Sequence, residues 1–177
     1  QDSALAGTFF ATVTSLSYGS AAMPTSTYER LQLLLVRYQG SKRPMSTSLM
    51  STEVAVGLSR YWPCEDQTVV GLPMPGARFK LLPVGDRFEI RVKGSGVTPG
   101  YVNDPDRTAE AFDEDGFFKM GDAVTFADPK RPEAGLRFAG RIAEQFKLVT
   151  GTWVSAGTLR AQLVAACAPW VRDVVIC

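Results

Sequence analysis

The order of apolar and polar positions divides the chain into three stretches of different texture. Leu5–Phe10 is apolar, and residues 5–18 read as a helix giving way to a short strand at Leu16–Tyr18. Gly19-Ser20-Ala21-Ala22 then makes a tight turn of small residues. Pro24 and Thr25 open an amphipathic helix to about Tyr38, with Tyr28, Leu31, Leu34 and Leu35 at helical spacing, and Gly40 and Pro44 end it. Met45–Leu49 is a short strand and Ser51-Thr52-Glu53 a turn. This alternation of helix and strand is that of the edge of an α/β domain.

From Gly71 the period shortens. The run Gly71-Leu72-Pro73-Met74-Pro75-Gly76 is expected to be a loop. Beyond it, Ala77–Leu82 and Arg87–Lys93 alternate, with Phe88, Ile90 and Val92 on one face and Arg87, Glu89, Arg91 and Lys93 on the other. Val84-Gly85-Asp86 turns between them, so the pair is a hairpin. Asp104-Pro105-Asp106 starts a short helix through Phe112. Phe117–Lys119, Ala123–Phe126 and Leu136–Phe138 are further short strands, and the frequent glycine and proline turns point to a small β-barrel-like unit. After Gly140 the pattern changes again. Phe146–Val149 is a strand, Gly151-Thr152 a turn, Ser155 an N-cap for a helix over 156–168, and Val174–Ile176 a strand after Pro169. The fold class expected is therefore mixed α/β and β. An α/β edge covers 1–70, a β-rich unit 71–139, and the start of a further α+β unit 140–177. A natural chain rarely ends inside a strand, so the chain reads as an internal segment, cut at both ends.

Charge and composition narrow the chemistry. Lys and Arg number 19 and Asp and Glu 18, a net charge of +1, which leaves no basic field for nucleic acid. No apolar run approaches the ~20 residues of a membrane span. The N-terminus lacks the charged-then-apolar layout of an export signal. Three scattered cysteines make neither a disulfide framework nor a zinc cage, and with no export signal they favour a reducing cytoplasm. With no histidine, the histidine-dependent triads and histidine metal ligands are excluded. Carboxylates, lysine, arginine, hydroxyls and backbone amides remain.

Three glycine-centred segments could carry function. Gly94-Ser95-Gly96-Val97-Thr98-Pro99-Gly100-Tyr101 follows a strand, where backbone amides can cradle phosphate, or where the strand simply kinks on exit. It lacks the lysine of a P-loop and the spacing of a dinucleotide fingerprint. Gly116-Phe117-Phe118-Lys119-Met120-Gly121-Asp122 ends on an aspartate that could accept from a vicinal diol or bind its own turn. Gly140-Arg141-Ile142-Ala143-Glu144-Gln145-Phe146-Lys147 sets an arginine at the junction of two units, which is either a hinge or a solvated charge cluster.

Taken in order, Glu89–Gly94 with Gly100-Tyr101, then Asp115–Asp122, then Gly140-Arg141 closely resemble the later core motifs of the adenylate-forming superfamily. That superfamily includes acyl-CoA synthetases, luciferases and nonribosomal adenylation domains. Ser51-Thr52-Glu53 resembles its threonine–glutamate pair, and Gly19–Pro24 its adenine-side loop. Val97–Tyr101 and Phe146–Ser155 are most similar to the feruloyl-CoA synthase branch. The resemblance implies that Thr52 bonds phosphate and Glu53 ligates Mg²⁺. It implies that Asp122 grips the ribose hydroxyls with Arg141 on the other side of the sugar. Gly19, Ser20, Ala21 and Ala22 would line the adenine and acyl pocket. ATP (leaving as AMP), coenzyme A and a carboxylic acid of the hydroxycinnamate type would be the small-molecule partners, and a dimer is compatible with it. The 140–177 unit would be the hinge and the start of the lid domain.

Two departures stand out: Leu49 and Met50 where the superfamily places an aromatic residue and glycine, and Ala143 with Glu144 at the hinge. The phosphate loop would lie before Gln1 and the adenylation lysine after Cys177, so the segment alone is expected to be catalytically incomplete. A non-catalytic binding module, a fatty acyl-CoA ligase and a carrier-loading adenylation domain are the alternative readings.

Overall fold

The computed structural model describes residues 3–21, 23–151 and 153–176. It opens with α1 (Ser3–Ala11), β1 (Leu16–Tyr18), α2 (Thr25–Gln39) and β2 (Met45–Ser51). The Pro24 carbonyl accepts the first turn of α2 from Thr27 and Tyr28, 3.0 Å each. Gly40, at φ +77°, closes the helix by donating to the Val36 carbonyl, a left-handed cap that glycine adopts without Cβ strain. Leu35 and Gln32 are the buried positions of α2. Gln32 pairs with the Arg43 backbone in both directions, at 2.8 and 3.0 Å, and so fixes the return of the chain into β2. Phe10 of α1 stacks on Tyr38 with ring centroids 6.0 Å apart.

A single eight-stranded sheet follows. Its other members are β3 (Val54–Arg60), β4 (Val69–Pro73), β5 (Ala77–Val84), β6 (Arg87–Gly94), β7 (Phe118–Phe126) and β8 (Leu136–Arg141). The strand order is β1-β2-β3-β4-β8-β7-β6-β5; β1 pairs with β2 in parallel and every other pairing is antiparallel. The expected hairpin is present as β5–β6, but Val84 belongs to β5 opposite Arg87, so the turn is Gly85-Asp86 alone, with Gly85 at φ +63°. The sheet curls on itself. Val54 and Leu58 of β3 share one core with Ile90 and Val92 of β6, Phe118, Met120 and Val124 of β7, Val70 of β4 and Leu136 of β8. These side chains come from alternate positions of their strands, which is why the period-two stretches bury one face and leave the other wet. Mixed α/β edge and curled β-rich sheet are both present, as the sequence pattern implies.

Several elements differ from expectation. Val54–Arg60 forms a strand that the sequence reading passes over, although Val54 and Leu58 are fully buried in it. The expected loop over residues 71–76 is strand as far as Pro73, and only the following residues turn. Gly71, at φ +105°, sits where the β4–β8 register shifts, so a bulge lets a glycine–proline run remain in a sheet. The expected boundary at residue 71 thus falls inside β4, which pairs with β3 on one side and β8 on the other. The two strands expected over residues 117–126 are one, β7, irregular between Asp122 and Val124.

After β8 come a 3₁₀ turn (Ile142–Glu144), a two-stranded antiparallel ribbon of β9 (Gln145–Lys147) and β10 (Trp153–Ser155), and α4 (Ala156–Ala166) with Ser155 at its N-cap. β10 was not foreseen. Val174–Ile176 is irregular rather than strand and, among the described residues, joins neither sheet. Earlier in the chain, between β6 and β7, α3 (Pro105–Ala111) is capped by Asp104, whose side chain accepts from the Arg107 amide at 3.1 Å. Among the described residues Cys64 and Cys167 are free thiols, and no helix is long and apolar enough to cross a membrane.

Candidate functional site

Asp122 lies in mid-strand, where β7 departs from regular pairing. Gly121 before it takes φ +73° with nothing within 4 Å of a Cβ position, so backbone conformation rather than crowding calls for glycine here. Asp122 faces Arg141 across the β7–β8 ladder. Arg141 Nε stands 3.0 Å from Asp122 Oδ1, an ion pair not aligned as a hydrogen bond, while its Nη1 donates to the Met120 carbonyl at 3.2 Å. Asp122 is 2% exposed, and Oδ1 is buried with no hydrogen-bond donor. Burial raises the carboxyl's pKa above the ordinary carboxylate value; Arg141 opposes this and Glu144 adds to it. A buried acceptor short of donors costs stability unless something supplies them. Two hydroxyls of a ligand would do so.

The second constellation gathers at the β2–β3 turn. Ser51 pairs with Val54, leaving Thr52 and Glu53 at the tip, Thr52 exposed and Glu53 half-buried. The glycine-rich stretch after β6 folds back onto this turn. Ala55 donates to the Gly96 carbonyl at 2.8 Å, Thr98 donates to the Glu53 carbonyl at 2.7 Å, and Val54 bridges Val97. A Cβ on Gly96 would strike the Val56 side chain, which explains the glycine at that point. Tyr101 Oη donates to Glu53 Oε1 at 3.0 Å, and the Arg107 guanidinium lies 4.0 Å from the Tyr101 ring centroid. The Glu53 carboxyl is held below its ordinary range first by its own backbone amide, then by Tyr101 and the charge of Arg107 among others, against the pull of burial. Burial, and next the bond to Glu53, pushes the Tyr101 phenol up.

Among the described residues no three Asp, Glu or Cys side chains gather as a metal cage. An ionised Glu53 with one oxygen already fixed fits a Mg²⁺ that keeps most of its waters and takes its other ligands from phosphate.

No protein-family model matches the chain. It is 34% identical over 137 residues to malformin synthetase mlfA of Aspergillus homomorphus, covering 68% of this chain and 2% of that protein. It is 32% identical over 115 residues to long-chain-fatty-acid–CoA ligase 2 of Schizosaccharomyces pombe, 59% of this chain and 16% of the relative. Its fold superposes on a malonyl-CoA ligase solved with methylmalonyl-CoA and AMP bound, at a TM-score of 0.61 and 31% identity, over 97% of this chain and 36% of that one. The chain is a segment of the adenylate-forming superfamily. It spans only a small part of these sequence relatives, at most 16% of either.

The residues singled out by the resemblance fall at three places around one sheet. Asp122 and Arg141 meet between β7 and β8. Glu53 meets the Gly94–Tyr101 stretch at the β2–β3 turn. Gly19, Ser20 and Ala21 follow β1 and are exposed, with Ser20 at φ +65°; Ala22 lies outside the described residues. Sequence reasoning missed Tyr101 and Arg107 as partners of Glu53. The signal was present: Tyr101 closes the quoted glycine motif, and Asp104-Pro105 starts a helix that returns Arg107 over its ring. It also missed Asp113, whose buried carboxylate takes Lys80 at 2.8 Å and Arg91 at 3.2 Å. The alternating basic face of the hairpin and the acidic run 113–115 are the trace of that network in the sequence.

Proposed function

We propose that this segment belongs to an ATP-dependent acid–thiol ligase and holds the nucleotide in it. In the reaction a carboxylate oxygen attacks the α-phosphorus of ATP, the bond to the β-phosphate oxygen breaks, and pyrophosphate leaves an acyl-adenylate. The thiol of coenzyme A then attacks the acyl carbon and AMP departs. The acid is of the hydroxycinnamate type, ferulate among them, on the likeness of Val97–Tyr101 and Phe146–Ser155 to the feruloyl branch.

Asp122 accepts both ribose hydroxyls, with Arg141 on the far side of the sugar. Thr52 donates to a phosphate oxygen. Gly19, Ser20, Ala21 and Ala22 form a small-residue wall along the adenine. Glu53 would hold Mg²⁺, which when bound neutralises triphosphate charge; Tyr101 and Arg107 keep that carboxylate turned and ionised. Residues 1–70 are then the end of the large adenylation subdomain, 71–139 a smaller β-rich subdomain joined to it through β4, which straddles that boundary, and 140–177 the hinge and the start of the lid.

The observation that supports this reading is the buried Asp122 carboxylate with an oxygen lacking any donor. Hydrogen bonds to a charged group are worth about 1.5–3 kcal/mol each before non-additivity. Asp122→Ala in the full-length protein is therefore expected to raise the KM for ATP about tenfold or more, and to leave the KM for the carboxylic acid nearly unchanged. An unchanged KM for ATP with a lowered melting temperature would make Asp122 a structural turn residue instead.

A further inference from the structure

Arg60 is fully buried at the end of β3, yet among the described residues no carboxylate forms an ion pair with it. Its Nη1 donates to the carbonyls of Cys64 at 3.2 Å and Asp66 at 3.1 Å. Its Nη2 donates to the Met45 carbonyl at 3.1 Å, Gln67 Oε1 at 2.9 Å and Tyr18 Oη at 3.3 Å. The nearby acid, Asp66, gives its carboxylate to Arg137 at 2.8 Å and to Thr68. Arg60 Nε is buried without an acceptor. A buried cation among neutral carbonyls is costly, and an apolar residue of similar volume would fill the space more cheaply. What the guanidinium supplies is geometry: a planar fork reaching β2, the 64–67 loop and β1 together, which a lysine cannot span.

The tie to β1 has a consequence for the site. β1 is only three residues long and, among the described residues, its one ladder is that with β2, so few backbone hydrogen bonds hold it here. Tyr18 is its last residue, and its hydroxyl both accepts from Arg60 and donates to the Gln67 carbonyl at 2.7 Å. Gly19, Ser20 and Ala21 follow at once and are exposed, with Ser20 in the left-handed region. We propose that Arg60 is a positioning residue for ATP: through Tyr18 it sets where the Gly19–Ala21 loop leaves the sheet, and thereby how adenine is received. This rests on the acid–thiol ligase reading above.

The test uses the full-length protein with Tyr18→Phe, Arg60→Lys and, in parallel, Asp122→Ala. Tyr18→Phe removes one hydroxyl and keeps the ring. It should raise the KM for ATP about three- to tenfold while kcat stays within about twofold, the range expected for losing one or two ordinary hydrogen bonds. Arg60→Lys should move KM in the same direction and further. If Arg60→Lys does not fold, Tyr18→Phe decides alone. A KM for ATP that stays within twofold in Tyr18→Phe, whatever happens to the melting temperature, overturns the inference. If Asp122→Ala nevertheless raises that KM, only the role of Arg60 falls. If Asp122→Ala leaves it unmoved as well, the nucleotide reading fails and the inference falls with it.

Discussion

Replacing Asp122 by asparagine should stabilise the protein and weaken its nucleotide binding at the same time. The side chain is almost wholly buried and Oδ1 has no hydrogen-bond donor. Leaving a buried acceptor unsatisfied costs about 1–3 kcal/mol, and more when it is charged. Arg141 returns some of this, but its side chain is 51% exposed and its ion pair is misaligned, so the return is about 0–1 kcal/mol after screening. An amide of the same shape carries no charge to desolvate. The net expectation is a gain of about 1 kcal/mol at pH 7.5, which for a chain of this size is about 2–4 °C in Tm.

The pH dependence has a definite sign. The native carboxyl's pKa lies above its unfolded value of 3.8, so the folded state binds the proton more tightly. Its contribution is fully present below pH 3.8 and is lost as pH rises through the raised native value. The advantage of asparagine should therefore be small near pH 3.5, grow as pH rises through that window, and then level off. Melting curves at several pH values, with equilibrium binding of AMP on the same preparations, measure both effects. A variant that melts lower at neutral pH and binds AMP as tightly as the parent would refute the reasoning and return Asp122 to a structural role.

Two further substitutions probe the rest of the frame. Tyr101→Phe removes the donor to Glu53 Oε1. It should raise the Mg²⁺ concentration needed for half-maximal activity about three- to tenfold, the equivalent of one charge-assisted bond at a half-exposed site; an unchanged Mg²⁺ titration would detach Tyr101 from the metal. Gly71→Ala forces a Cβ onto the Ser59 carbonyl at φ +105°, in the strand that joins β3 to β8. A loss of about 2 kcal/mol or more in urea unfolding is expected, and a change under about 0.5 kcal/mol would show that the bulge is soft.

Much of the fold is legible in the chain because local signals and tertiary needs agree there. The hairpin of β5 and β6 is written in strict alternation and a Gly-Asp turn, and α3 in Asp104-Pro105. The reading failed where a bulge let the sheet override local chemistry. Gly71 and Pro73 look like loop residues, yet Gly71 takes a conformation that only a bulge between two neighbours requires. Val54–Arg60 carries Gly57, which weakens a strand signal; the structure places that glycine where a Cβ would strike the Leu49 carbonyl. At the site, Asp122 and Arg141 are named by two separate motifs, on either side of a sugar. That they oppose each other across a ladder, ion-paired but with Oδ1 receiving no aligned hydrogen bond, is not legible, since register over a bulge leaves no trace in spacing. Arg60 was invisible for a related reason: its partners are mostly backbone carbonyls, which every sequence contains.

Carboxylate-dependent exchange of labelled pyrophosphate into ATP reads the proposed first half-reaction without requiring the thiol step. The full-length protein, given Mg²⁺ and a panel of hydroxycinnamates and fatty acids, should catalyse exchange that depends on the acid and is strongest with a hydroxycinnamate. Asp122→Ala should need about tenfold or more ATP to reach the same exchange rate. No exchange with any acid in the panel, from a folded protein that also fails to bind AMP, would contradict the account and favour a binding module that has kept the fold without the chemistry.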